Sequence, residues 1–233
     1  MTGPTGPARL TGLRRFAQAT ADRPVPDAPE PKAPEPEAPD LERCELCATE
    51  VPAEHSHIAD LEAASLLCAC RACYLLFTQR NAGRGRYAAV PDRYLAEPEH
   101  PIPLALWDQL EIPVGLAFFI RASRQGGAVT GFYPSPAGVT ECRLDLRLWQ
   151  QLVTDYPLLG AAEDDVEAAL ISRSDDRVEY YLVPVDACYE LAGRMRLRWH
   201  GFDGGSEGRE CIAAFLAGVR SRARPYRPAG QHA

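Results

Sequence analysis

The sequence predicts an α+β protein: a small cysteine-rich zinc module followed by a mixed, mainly antiparallel α+β domain. Three observations carry this. Two Cys-x-x-Cys pairs, Cys44/Cys47 and Cys70/Cys73, stand 22 residues apart, a spacing suited to a tetrahedral thiolate site. Apolar runs of strand length recur between residues 114 and 185. Their order is strands, helix, strands, helices, without the regular alternation of a doubly wound sheet.

Composition sets the limits. The 233 residues leave room for one domain of about 150–200 residues plus tails. The net charge of −7 argues against a general nucleic-acid binder, which would show a basic surplus. The run Arg220, Arg222, Arg224, Arg227 is a local exception and reads as a solvated end. No stretch of 18 apolar residues is present, so no membrane span is expected. Residues 1–7 lack the basic and apolar regions of a secretory signal. Five of the eight cysteines fall within thirty residues, which favours metal binding in a reducing cytoplasm over disulfides.

Residues 1–23 form an N-terminal segment with a short amphipathic helix over 8–22, where Leu10, Leu13 and Phe16 recur every third position. That helix is too short to be stable alone and needs a surface to dock on. Residues 24–40 are a disordered linker: seven prolines in 17 residues, interleaved with acids, hold the chain extended and solvated.

Residues 41–80 form the metal module. Between the Cys pairs, residues 57–61 and 66–69 read as two short strands joined by a turn at 62–65. Tyr74, Leu75, Leu76 and Phe77 then open an apolar helix directly after Cys73. Knuckle, hairpin, and a knuckle that starts a helix is the layout of a treble clef. The helix N-terminus would favour thiolate over thiol. Zinc suits Cys44, Cys47, Cys70 and Cys73, with iron or an iron–sulfur centre as the alternative. Cys68 is a fifth nearby thiol, either a replacement for Cys70 or a buried strand cysteine. His55 and His57 sit at the hairpin start as candidate ligands, outer-sphere groups or plain surface residues.

Residues 81–220 form the α+β domain. Residues 81–103, rich in Gly and Pro, read as loop, and 104–110 as a helical turn. Strands are expected at 114–121, 129–133, 139–144, 166–172 and 178–185, with turns at 125–127, 134–138 and 174–176. Residues 146–155, 188–198 and 210–220 read as helices. Asp186 is placed to cap the helix that follows it, with Cys188, Tyr189 and Trp199 on its inner side. Trp107 and Trp149 read as core. Asp164–Asp165 and Asp175–Asp176 read as solvated turn pairs. Residues 201–208 are glycine-rich and read as a helix–helix turn. Residues 221–233 are expected to be a disordered tail.

No Gly-x-Ser-x-Gly elbow and no phosphate-binding loop occur, and no residue is assigned a catalytic role. The module is similar to an HNH nuclease core, with His55 and His57 on the hairpin. However, Tyr74 follows Cys73 where such cores often carry histidine.

Several segments together resemble an uncharacterised actinobacterial family of unknown function whose genes lie near those of NiFe hydrogenases. They are Cys44-Glu-Leu-Cys47, His55-x-His57, Cys68-Ala-Cys-Arg-Ala-Cys-Tyr-Leu-Leu-Phe77, Tyr133-Pro-Ser-Pro-Ala-Gly138, Val183-Pro-Val-Asp-Ala-Cys-Tyr-Glu-Leu191 and Trp199-His-Gly-Phe-Asp-Gly-Gly205. The resemblance spans roughly residues 41–218. It implies a cytoplasmic, zinc-binding accessory protein serving hydrogenase assembly, maturation or electron transfer, with a hydrogenase subunit or maturation factor as partner. A redox or metal-delivery protein using the cysteine cluster is the alternative, and an HNH-like nuclease the third reading.

Overall fold

A computed structural model describes residues 42–79, 82–201 and 204–227. The helix expected over 8–22 and the linker over 24–40 lie outside the described residues.

The first sheet belongs to the cysteine-rich module. Strands β1 (Ser56–Asp60) and β2 (Ser65–Ala69) form the expected hairpin, and β3 (Tyr87–Ala89) adds to the other side of β1, giving the antiparallel order β2-β1-β3. Residues 81–103, expected as loop, therefore supply a strand to the module. They supply another, β4 (Leu95–Ala96), to the main sheet. Short strands among glycines and prolines carry no periodicity of their own; their partners create them.

The hairpin turn is held by Asp60. Its buried carboxylate accepts from the backbone N–H of Glu62 and Ala63 and from Arg86 at 2.7 Å. The Arg86 guanidinium and the two turn N–H groups outweigh burial and hold the Asp60 carboxyl down at about 2. A depressed carboxyl stabilises the fold above its ordinary value of 3.8, and the contribution is lost as pH falls through about 2. Asp60→Asn should therefore be less resistant to urea than the parent at neutral pH, with the gap closing between about pH 4 and 2. A gap that stays constant over that window would exclude this role.

After β2 comes the six-residue helix α1 (Arg71–Leu76). In the body, α2 (Leu104–Asp108) precedes β5 (Leu116–Ala122), β6 (Ala128–Ser135) and β7 (Gly138–Cys142), which form a meander. Helix α3 (Leu146–Asp155) is capped by Asp145, whose carboxylate accepts from the Arg147 N–H at 2.8 Å. Helix α4 (Pro157–Gly160) follows, with its proline in the first turn. Strands β8 (Glu167–Arg173) and β9 (Val178–Pro184) form the central hairpin, and α5 (Val185–Arg198) and α6 (Gly205–Arg222) complete the helices. The chain past residue 220, expected as disordered tail, continues α6 to Arg222. It then adds β10 (Arg224–Pro225) parallel to β4.

The main sheet runs β10-β4-β9-β8-β5-β6-β7, antiparallel except at β10. The fold is thus mixed α+β with mainly antiparallel sheets, as expected. Alternation explains why the central strands read as continuous apolar runs. Ala117, Phe119, Ala169, Ile171, Val178, Tyr180 and Leu182 face a core with Trp107, Leu148, Trp149, Leu152 and Leu158. Leu116, Phe118, Ala168, Leu170, Tyr181 and Val183 face the opposite core with Cys188, Leu191, Met195, Phe215 and Val219. Helices α2–α4 thus cover one face and α5–α6 the other. Gly138 (φ 98°) lets α5 approach this closely: a Cβ there would meet the Ala192 carbonyl at 2.8 Å.

The acid pairs divide. Asp175 and Asp176 are exposed in the β8–β9 turn, as expected. Asp164 is not simply solvated, since Arg121 pairs with it, and Asp165 accepts from the Ser123 N–H at 3.0 Å. Tyr189, expected on the inner side of α5, is 48% exposed.

Candidate metal centre

The first knuckle is a tight turn closed by backbone bonds, Cys44 N–H to Thr49 C=O at 2.8 Å and Ala48 N–H to Cys44 C=O at 2.8 Å. It brings Cys44 and Cys47 to one side. Glu45 fastens the knuckle to β2: its N–H donates to the Cys68 carbonyl, and its carboxylate accepts from the Cys68 N–H at 2.6 Å. Cys70 stands at the N-cap of α1 and Cys73 lies buried in its first turn.

The result is a group of four thiols, Cys44, Cys47, Cys70 and Cys73, with all sulfurs within 4.8 Å of one another. Cys47 Sγ and Cys70 Sγ are 3.6 Å apart. A disulfide needs about 2.05 Å. Zinc–sulfur bonds of about 2.3 Å in a tetrahedron put the sulfurs about 3.8 Å apart. The spacing therefore fits four thiolates around one metal ion. Cys70 is the fourth member of this group, and Cys68 lies in a different one.

Electrostatics agree with the need for a cation. Burial pushes the Cys44 thiol up, but the N–H groups of Cys70, Leu46 and Cys47 outweigh it and bring it down to about 6. Donation from the Thr49 hydroxyl and N–H lowers Cys47. Burial and the crowding of the other three sulfurs push Cys73 up to about 12. One thiolate forms readily and the last does not, unless a positive ion offsets the repulsion.

Beside this group lies a second. His57 in β1 pairs directly across the ladder with Cys68 in β2. His55 lies two residues earlier, its ring 4.8 Å from that of His57. His57 Nδ1 is 2.9 Å from Asp186 Oδ2 in the first turn of α5. That hydrogen bond, opposed by burial, raises His57 above its ordinary value. Asp186 is therefore not the helix cap expected from sequence; Pro184 holds the N-cap position, and the carboxylate instead ties the module to the body. His55 is not a plain surface histidine, as its side chain is only 6% exposed.

A cleft of about 810 Å³ opens between the module and the body, lined among others by Tyr74, Phe77, Tyr87, Arg93, Arg121 and Asp164. Both arginines are already paired, Arg93 with Glu167 and Arg121 with Asp164. Glu167 is fully buried, receives two bonds from Arg93 at 2.7 and 2.5 Å, and accepts from the Glu163 N–H at 2.8 Å. Sequence reading missed this pair and the Asp186–His57 contact. The partners lie 74 and 129 residues apart, and the only hint is an acid opening an otherwise apolar strand.

No helix among the described residues is long and apolar enough to cross a membrane. No curated protein and no solved structure matches the chain. The model of one family, described as a family of unknown function (DUF5947), matches residues 43–223, a stretch that takes in the four-thiol group, the neighbouring histidines and the whole seven-stranded sheet except its last edge strand. The chain belongs to that family.

Proposed function

We propose that this chain is a zinc-binding, non-enzymatic accessory protein of the cytoplasm that assists NiFe-hydrogenase assembly, maturation or electron transfer through protein–protein contacts. The four-thiol group carries the reading. It offers a complete tetrahedral set with no position left for substrate, the pattern of a structural site. The order of knuckle, hairpin and helix supports reading the module as a treble clef. Leu46, Leu75 and Leu76 are exposed on the module, which gives a protein partner apolar surface to bury. The sequence resemblance supports a hydrogenase subunit or maturation factor as that partner.

The test is capture of the tagged full-length chain from an actinobacterial host making active NiFe hydrogenase, read by mass spectrometry. Hydrogenase subunits or maturation factors should be enriched, and Leu75→Asp with Leu76→Asp should reduce them at least tenfold. A chain recovered only as free monomer from such cells would overturn the accessory role. A metal-delivery reading is second, favoured by the grouping of His55, His57 and Cys68.

A further inference from the structure

We propose a second, separate metal site on the hairpin: one borderline transition-metal ion, zinc in the first instance, bound by His55 Nε2, His57 Nε2 and the Cys68 thiolate, with an open fourth position. The site is additional to the four-thiol group, which closes without any of these residues.

Strand geometry assembles it. Cross-strand pairing sets His57 opposite Cys68, and His55, just before β1, brings its ring within 4.8 Å of that of His57. One ring nitrogen of each histidine and the Cys68 sulfur lie within 4.8 Å of one another. Both Nδ1 atoms are already engaged, His55 with the Pro52 carbonyl at 2.9 Å and His57 with Asp186 Oδ2 at 2.9 Å. Glu42 Oε2 also lies 3.4 Å from His55 Nδ1. A ring whose Nδ1–H donates to an oxygen leaves Nε2 as a lone pair. Carbonyl and carboxylate partners of this kind orient histidines that bind metals through the other nitrogen.

The independent observation is His55 Nε2. It is buried, in a side chain 6% exposed, and has no hydrogen-bond partner. Buried polar atoms are almost always satisfied, and a metal ion facing His57 and Cys68 satisfies this one. Two imidazoles and one thiolate select zinc, copper or nickel over magnesium or calcium. Three protein ligands leave room for water or an incoming ligand, so the ion is exchangeable or reactive where the four-thiol ion is not. His57 and Cys68 are only half-buried, which leaves a route for exchange.

The experiment is zinc stoichiometry of the full chain by equilibrium dialysis and elemental analysis. Two zinc ions per chain are expected, falling to one in His55→Ala and in Cys68→Ser. Cys44→Ser should keep the second ion while losing the first, which separates this site from the structural one. Cobalt added to chain already holding one zinc should give a thiolate charge-transfer band, absent in Cys68→Ser. Asp186→Asn, which only orients His57, should weaken the second ion about 10–100-fold and leave the first unchanged. One zinc per parent chain at saturation, or two retained in the His55→Ala, Cys68→Ser double variant, overturns the site. If the variants fail to fold, parent stoichiometry and the cobalt band still decide.

Discussion

Cys44→Ser, or removal of metal by a chelator, should unfold the two knuckles while the β1–β2 hairpin and the seven-stranded sheet stay folded. The knuckle has almost no apolar support of its own: its core is Cys44, Val51 and Cys73, with Cys70 packed against it. Fewer than 40 residues of this kind do not fold without a staple. Structural zinc supplies about 10–16 kcal/mol of apparent binding free energy at neutral pH, and in such modules that is folding free energy. The expected result is loss of amide protection over residues 43–51 and 70–77, measured by hydrogen exchange. Protection should persist in β5, β8 and β9, and Trp107 and Trp149 fluorescence should be unchanged, because both indoles sit in the core between α2–α4 and the sheet. Full protection of the knuckle in metal-free Cys44→Ser protein would mean that packing alone holds it.

Arg93→Ala should cost roughly 3 kcal/mol, near the lower end of the about 3–5 kcal/mol typical when one partner of a buried ion pair is removed. The reason is Glu167. Its carboxylate is fully buried at the start of the central strand β8, and only the Glu163 N–H would remain to it among the bonds described. The lower end applies because the Arg93 side chain is 46% exposed, so water can reach the carboxylate when the guanidinium is gone. For a body of this size the melting temperature should fall by roughly 6–12 °C. Adding Glu167→Leu to Arg93→Ala should recover most of the loss, since it is the unpaired charge that is costly. A drop in the single variant that the second substitution does not relieve would place the cost in lost arginine packing instead.

The two variants separate the halves of the molecule. The first acts on a cysteine of a short, sequence-local pair; the second acts on residues that meet only through the fold. The legibility of the sequence follows the same division. The grouping of the two cysteine pairs was readable because a tetrahedral thiolate site would demand a short loop within each Cys-x-x-Cys. Helix α3 was readable residue for residue, since Leu148, Trp149 and Leu152 repeat at helical spacing. The central strands were readable as apolar runs, although which face each residue takes was not.

Residues 87–89 and 95–96 gave no signal, because a strand of two or three residues is made by its neighbour's hydrogen bonds and not by its own pattern. Arg224 and Pro225 became an edge strand for the same reason. Asp186 was read as a helix cap because carboxylates at helix starts usually are; only the packing of α5 against the module turns it toward His57. His55 was ambiguous until burial was known. The sequence by itself determined that this protein has a four-cysteine group spaced to hold a metal ion and an α+β body, because cysteine spacing and hydrophobic periodicity are local properties of the chain. Only the tertiary structure decided that His55, His57 and Cys68 converge, that Asp186 orients one of them, and that Arg93 neutralises Glu167, because hydrogen bonds and charges meet across distances that no local pattern encodes.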